Sequence, residues 1–145
     1  MKILATALTF VLAFIAPPAT AGDAEDVSQA VAAAQSWLPI VDAGRFSESW
    51  DLASVNFQKG ITKPAWVQAV GNVRKPIGKL KSRIVMQGVD APKVAKLPEG
   101  TAVIIQFATV FDKLAPAIET VTPFCEPDGT WKVAGYYIKP APPPK

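Results

Sequence analysis

The sequence predicts an α+β protein, with three N-terminal helices packed on a curved, cone-like sheet of four antiparallel strands. Up to Ile77 apolar residues recur at helical spacing, which predicts helices. From Leu80 onward the segments are rich in β-branched and aromatic residues and are separated by turn formers, which predicts strands. The length suits one domain, and we expect it over residues 22–139.

Residues 1–21 have the features of a signal peptide. Met1 and Lys2 give a positive start, residues 3–15 are uncharged, and Ala19, Thr20 and Ala21 form a small-x-small cleavage pattern. The apolar run is too short to span a bilayer with ease. We expect cleavage before Gly22, a periplasmic or secreted protein, and no transmembrane segment in the mature chain. An uncleaved membrane anchor is the alternative.

The first predicted helix begins soon after this cleavage point. Its apolar face follows steps of four and three: Val27, Val31, Ala34, Leu38 and Val41. Pro39 has no amide hydrogen to donate to Gln35, so we expect a kink near Trp37 or an early end.

Residues 41–50 connect this helix to a short second one. A single glycine after a helix does not make a phosphate-binding loop, which needs several glycines or a Gly-Lys-Ser/Thr ending after a strand. Phe46 and Trp50, four residues apart, are expected to pack on the core. Asp42, in the last turn before Gly44, is interpreted as a solvated turn residue, with a catalytic acid as the alternative.

A third helix is predicted after Thr62, which is a good N-cap. Pro64 is tolerated in the first helical turn. The apolar face that we expect to be buried consists of Trp66, Val70, Val73 and Ile77. Pro76 disfavours helical geometry in the residue before it, so we expect the helix to end at Lys75.

Four strands are predicted at residues 80–89, 101–111, 118–126 and 130–138. Residues 127–129, Pro-Asp-Gly, predict a tight turn that makes the last two strands a hairpin. Alternation puts Trp131, Val133, Gly135 and Tyr137 on one face of the last strand. Both faces carry apolar groups, which predicts helices on one face and a partner or fold-over on the other. Residues 140–145 predict a disordered Pro-rich tail.

Composition excludes several functional classes. Fifteen Lys and Arg against twelve Asp and Glu is too weak an excess to indicate nucleic acid binding. The chain has no histidine, which removes the commonest metal ligand and general base. We predict no metal and no cofactor. Cys125 is the single cysteine, so no internal disulfide can form. We expect it to be a small buried apolar group, with a disulfide-linked dimer as the alternative.

Four segments carry a family resemblance: SWLPIVDAGRFSESW, VRKPIGKLKSR, QFATVFDKLAPAIETVT and DGTWKVAGYYI. In this order they resemble the bacterial domain-of-unknown-function 4019 family over about residues 27–139. The resemblance implies a small exported protein and assigns no chemistry. The order of helices and strands is also similar to the nuclear-transport-factor-2-like cone, in which a curved sheet wraps a long helix.

A cone-like fold implies a cavity between sheet and helix, and five polar strand residues are candidates to line it: Gln106, Glu119, Thr120, Thr122 and Tyr136. The alternative is that they lie on the outer face of the sheet. Glu119 with Tyr136 is the best acid-base pair on offer. No nucleophile with a histidine base exists, so an enzyme is not expected.

A second candidate site is an anion-facing patch after the third helix. Residues 74–83 hold five cations around a Pro-Gly turn. The patch residues are Arg74, Lys75, Lys79 and Lys81, whereas Arg83, on the first strand, is interpreted as partly structural. The expected function is an exported, non-enzymatic binding or interaction domain whose partner is a protein or an anionic envelope component. The alternative is a small-molecule pocket protein, with Glu119 and Tyr136 acting as catalysts.

Overall fold

The computed structural model describes residues 21–90 and 101–144. The predicted signal peptide lies outside these ranges except for Ala21. The fold class is confirmed: helices precede a four-stranded antiparallel sheet. There are four helices in the described ranges rather than three. The elements are α1 Ala21–Asp42, α2 Phe46–Asp51, α3 Val55–Gly60, α4 Lys63–Ile77, β1 Leu80–Asp90, β2 Val103–Phe111, β3 Ala117–Cys125 and β4 Trp131–Pro140.

Helix α1 lies along the inner face of the sheet and contacts all four strands. Ala34, Leu38 and Val41 are buried as their spacing predicts. The expected early end at Pro39 is wrong, because the helix continues to Asp42. Its last turn stays hydrogen-bonded, with Ala43 N donating to Pro39 O at 3.0 Å.

The corner after α1 is confirmed, and α2 and α3 build it. Phe46 and Trp50 pack against the core from α2. Helix α3 was not predicted, because six residues are too few to show an apolar period. Its sequence signal is Ser54, the N-cap, whose side chain accepts a hydrogen bond from Phe57 N. Phe57 then reaches the core edge-on to the Trp66 ring.

Helix α4 begins as predicted and turns a different face inward at its C-terminal half. Thr62 Oγ1 accepts a hydrogen bond from Ala65 N, and Trp66 and Val70 are buried. The expectation for Val73 is wrong, since its side chain is 47% exposed. Arg74, four residues after Val70, takes the buried position and is only 6% exposed. The helix also passes Pro76 and ends at Ile77, two residues later than expected.

The sheet is an antiparallel meander in the order β1-β2-β3-β4. Strands β2 and β3 alternate buried and partly exposed residues, which gives the sheet a covered inner face and an open outer face. The buried side chains on the inner face of these two strands are Val103, Ile105, Phe107, Thr109, Phe111, Ala117, Glu119 and Val121. Two polar groups, Thr109 and Glu119, therefore lie within the core.

The hairpin predicted at residues 127–129 is confirmed between β3 and β4. Glu126 N donates to Thr130 O at 2.8 Å, and Gly129 takes a positive φ of 85°. The predicted faces of β4 are wrong beyond Val133. Pro123 pairs with Val133 while Thr122 pairs with Gly135, so Ala134 is an extra residue in β4. This bulge shifts the alternation by one and turns Tyr136, not Gly135, inward.

The end of the chain is partly ordered by the sheet. Strand β4 extends to Pro140, and Ala141 N donates to Pro116 O at 3.0 Å. Of the predicted tail, Pro140 is therefore paired with β3 and Ala141 is hydrogen-bonded to the residue before β3.

Candidate functional site

Six polar side chains meet at one end of the core, between the C-terminal ends of α1 and α4 and the inner face of the sheet. We call this set the charge cluster: Asp42, Arg74, Arg83, Thr109, Glu119 and Tyr136. Two guanidinium groups face two carboxylates, so the formal charges balance. The partners are separated by 10 to 62 residues in the chain, and each comes from a different element.

Glu119 is the centre of the charge cluster and is fully buried, with 0% exposure. Its Oε2 accepts from Arg83 Nε at 2.6 Å and from Thr109 Oγ1 at 2.9 Å. Its Oε1 accepts from Tyr136 Oη at 2.6 Å and from Arg83 Nη2 at 3.1 Å. A buried carboxylate is stable only when its lone pairs are matched by donors, and here both oxygens are.

Arg83 joins the two carboxylates. Besides its two bonds to Glu119, its Nη1 donates to Asp42 Oδ2 at 2.7 Å and its Nη2 to Asp42 Oδ1 at 2.9 Å. The planar guanidinium is suited to such paired contacts. Strand β1 is thereby tied to both α1 and β3.

Arg74 completes the charge cluster from α4. Its Nη2 donates to Asp42 Oδ1 at 2.8 Å and its Nη1 to Tyr136 Oη at 3.0 Å. The guanidinium carbon lies 4.7 Å from the centre of the Phe111 ring, which adds a cation-π contact. The solvated-turn interpretation of Asp42 is therefore wrong: two arginines hold it, and its side chain is 16% exposed.

These contacts shift the proton affinities of the charge cluster. Burial alone would raise the pKa of Asp42, but the hydrogen bonds and charges of Arg83 and then Arg74 outweigh it and lower that pKa. Burial, followed by the negative charge of Glu119, raises the pKa of Tyr136 well above its ordinary value. Tyr136 is accordingly a neutral hydrogen-bond donor at physiological pH.

The hydrogen bonds of the charge cluster fix its charged side chains in place. No buried side-chain nitrogen or oxygen in the described ranges lacks a hydrogen-bond partner. The candidate acid-base pair is hydrogen-bonded within the charge cluster: Tyr136 Oη donates to Glu119 Oε1 and accepts from Arg74 Nη1. Residues 21–90 and 101–144 contain no group of three or more acidic or cysteine side chains that could hold a metal ion.

The five residues predicted to line a cavity do not share a face. Glu119 and Tyr136 lie on the inner face, and the structure brings them together as the proposed acid-base pair required. Gln106, Thr120 and Thr122 alternate with buried neighbours and lie on the outer face. Gln106 Oε1 accepts a hydrogen bond there from Gln87 Nε2 at 2.9 Å.

The predicted anion-facing patch loses one member and is weakened at another. Arg74 belongs to the charge cluster, so its place in the patch is wrong. Lys81 Nζ lies 3.6 Å from Asp112 Oδ1, which offsets its charge. Lys75 and Lys79 remain exposed beside a cleft of about 120 Å³ that reaches down to Asp42 and Arg74. The structural role expected for Arg83 agrees with its four hydrogen bonds.

Sequence patterns missed Asp42, Arg74 and Thr109 as members of the charge cluster. The sequence carried a spacing signal for Arg74 and another for Thr109. Arg74 follows Trp66 and Val70 at steps of four, and Thr109 alternates with Phe107 and Phe111 on β2. Their pairing with Glu119 depends on the tertiary fold, which no local pattern encodes.

Among the helices of residues 21–90 and 101–144, none covers the outer face of the sheet. We define it by six residues in two rows across the strands: Ile84, Ala108 and Ile118, and Gln87, Gln106 and Thr120. Ile84 is 68% exposed, and the neighbouring Met86 is 55% exposed at a bulge in β1. None of the six side chains is charged.

Cys125 is a free thiol at the end of β3 and is only partly buried. Burial, followed by the charges of Asp26 and Asp128, raises its pKa, which lowers its reactivity. None of the helices within the described ranges has the length and apolarity that a membrane crossing requires.

A family model described as "Protein of unknown function (DUF4019)" matches residues 33–136. No curated protein and no solved structure matches the chain.

Proposed function

The chain belongs to the DUF4019 family of proteins of unknown function, and because that membership assigns no activity, we propose a function from the geometry. The protein is an exported, non-catalytic domain that binds another protein through the outer face of its sheet. The single observation that carries the proposal is that this face is open and uncharged, with an exposed apolar row beside a row of neutral polar side chains.

An uncharged exposed face is unusual on a protein surface. The fully buried centre of a protein interface is depleted of charged residues, and large exposed apolar patches mark interaction sites. The outer face has both properties: Ile84 and Met86 are largely exposed, while the second row offers amides and a hydroxyl for hydrogen bonds. Lys139, which pairs with Ile118, lies at its margin.

The inner face supports the non-catalytic part of the proposal. Its buried polar groups bond to one another, and the clefts beside them open to solvent. Export is supported by the charge, length and cleavage pattern of residues 1–21. The mass of the protein recovered from outside the cytoplasm tests this part, and a chain beginning at Gly22 is the expected result.

Site-specific crosslinking tests the binding face. A photoreactive residue at Ala108, in the middle of the outer face, is compared with one at Gln68, an exposed position on α4. We expect a discrete adduct with an envelope protein from position 108 and none from position 68. A photoreactive residue at position 118, on the same face, should give the same adduct. Ala108→Asp added to that protein should remove the adduct, because a charge would be buried at the interface. Equal adducts from positions 108 and 68, or none from 108, contradict the proposal.

A further inference from the structure

A second surface feature lies between α4 and the C-terminal half of β4, on the other side of the sheet edge from the outer face. It is an open cleft of about 190 Å³, which we call the α4/β4 cleft. Its main lining residues are Trp66, Val70, Val73, Tyr136, Tyr137 and Ile138. Pockets for drug-sized molecules usually measure about 300–1,000 Å³, so this cleft suits a smaller group.

The polar groups inside the α4/β4 cleft already have hydrogen-bond partners. Trp66 Nε1 donates to Ser49 Oγ, and Tyr136 Oη donates to Glu119. Tyr137 pairs with Thr120 of the outer face, so its side chain, 61% exposed, lies at the border of the cleft and gives it no fixed donor. The occupant must therefore be apolar and uncharged where it enters, and must bring no donor that would be left without a partner.

Proline-rich chain meets these requirements. Proline has an apolar ring, a carbonyl acceptor and no amide donor to leave unsatisfied. Proline-rich segments adopt the extended polyproline II helix, which docks into aromatic-lined grooves at little entropic cost. Four of the last six residues of this chain are prolines.

The position of this tail indicates which copy of the chain it can reach. It leaves β4 immediately after the strand residues that line the cleft, and Ala141 N is held by Pro116 O. Pro142, Pro143 and Pro144 each fix φ near −65°, so the segment extends at about 3.1 Å per residue. Such a segment cannot fold back onto its own β4, but it can reach a neighbouring molecule.

We propose that the α4/β4 cleft binds the free end of the proline-rich tail, residues 142–145, of a second copy of the chain, while Pro140 and Ala141 stay held at the end of their own β4. If each copy gives its tail to the other, the contact is symmetric and closes as a dimer. Once the first tail is bound, the second binds within the same complex at a high effective concentration. The cleft adjoins the outer face at Tyr137, which pairs with Thr120. The inference nevertheless depends on contacts of the tail with the cleft and not on the outer face, so its tests are separate from those of the proposed function.

Two matched variants test the exchange. Replacing Pro142, Pro143 and Pro144 together by Ser keeps the tail length and the Lys145 charge but removes the stiff apolar rings. Val73→Asp places a charge in the apolar cleft at an exposed helical position, where the fold tolerates it. Urea midpoints equal to that of the unchanged protein, measured at a concentration where all three proteins are monomeric, confirm that both variants fold.

Sedimentation velocity over a range of concentrations then gives the result. The unchanged protein should dimerise as concentration rises, and each variant alone should remain monomeric. A mixture of the two variants should recover weaker association, because one copy retains a tail and the other a cleft. Dimers formed equally well by either variant alone, or a monomeric unchanged protein at every concentration, overturn the proposal.

A peptide titration separates tail binding from other modes of dimerisation. The peptide PAPPPK is added to the tail-substituted variant, and tryptophan fluorescence reports occupancy near Trp66. PASSSK is the control and should not bind. Equal responses to the two peptides would show that the prolines are not recognised and would overturn the proposal.

Discussion

Arg83 is the residue on which the charge cluster depends most directly. It contributes four hydrogen bonds to two carboxylates, and one of these, Glu119, has no access to water. We predict that Arg83→Leu lowers the free energy of unfolding by about 3–5 kcal/mol, because it leaves buried charge without its partner. Urea unfolding measures the change.

The control for this prediction is Arg45→Leu. Arg45 pairs with Glu48 on the surface at 2.7 Å, and exposed pairs contribute at most about 1 kcal/mol. Arg83→Lys should lie between the two, since it keeps the charge but loses the paired geometry. Equal losses for Arg83→Leu and Arg45→Leu would show that the charge cluster contributes no more than a surface pair.

Asp42 makes stability depend on pH in a direction that can be stated. Its pKa in the folded protein is lower than the ordinary 3.8, because Arg83 and Arg74 favour the charged form. The unfolded chain therefore binds a proton more readily than the folded one. The contribution of Asp42 to stability is complete above 3.8 and is lost as pH falls from there through the folded pKa.

We predict that Asp42→Asn lowers stability at neutral pH and flattens the fall in stability at acid pH. Urea midpoints measured in a series of buffers from neutral to below pH 3.8 give both quantities. The same acid slope in the variant and the unchanged protein would mean that Asp42 carries no linked proton.

At the scale of the helices, α1 and α4 each contain proline in a different setting. Pro39 lies inside α1 and is exposed, so it removes a helical hydrogen bond without adding to the core. Pro64 lies in the first turn of α4, where its missing donor has no helical acceptor to lose. We predict that Pro39→Ala raises the free energy of unfolding by about 2 kcal/mol, net of the greater freedom of the unfolded chain. Pro64→Ala should change it little, and equal effects at both positions would contradict the prediction.

The end of α4 carries the remaining part of the anion-facing patch. Lys75 and Lys79 are exposed on the same side of the turn, beside the cleft that reaches Asp42. We predict that replacing both by Gln weakens sedimentation with anionic vesicles at low salt and leaves the urea midpoint unchanged. The control pair is Lys59 and Lys139, replaced in the same way. Added salt should reduce the binding of the unchanged protein, because it shortens the screening length. Equal sedimentation of both variants and the unchanged protein would show that these lysines only aid solubility.

How far the sequence predicts this molecule depends on the range of each interaction. The α1 face, the Thr62 cap and the β3–β4 hairpin follow from residues close in the chain, and all are confirmed. The bulge at Ala134 and the burial of Arg74 depend on partners across the sheet or in other elements, so alternation and helical spacing could not give them. Glu119 and Tyr136 were correctly singled out as a pair, but their arginine partners appear only when β1 and α4 are placed.

At the scale of the whole molecule, one core joins the helical half to the sheet. Helix α1 packs on all four strands, and the charge cluster links the ends of α1, α4, β1 and β3. A chain with one shared core should unfold in a single transition.

We predict that Leu38→Ala, a fully buried position on α1, lowers the free energy of unfolding by about 2–5 kcal/mol. Two signals should give the same midpoint: far-ultraviolet circular dichroism, which follows secondary structure, and tryptophan fluorescence, which follows packing around the tryptophans of α1, α2, α4 and β4. Leu52→Ala, at a half-exposed position, is the control. The free energy of unfolding obtained from either signal should change by less than about 1 kcal/mol in this variant. If Leu38→Ala moved one signal and not the other, helices and sheet would be unfolding as separate units, and the shared core would not be what holds the protein together.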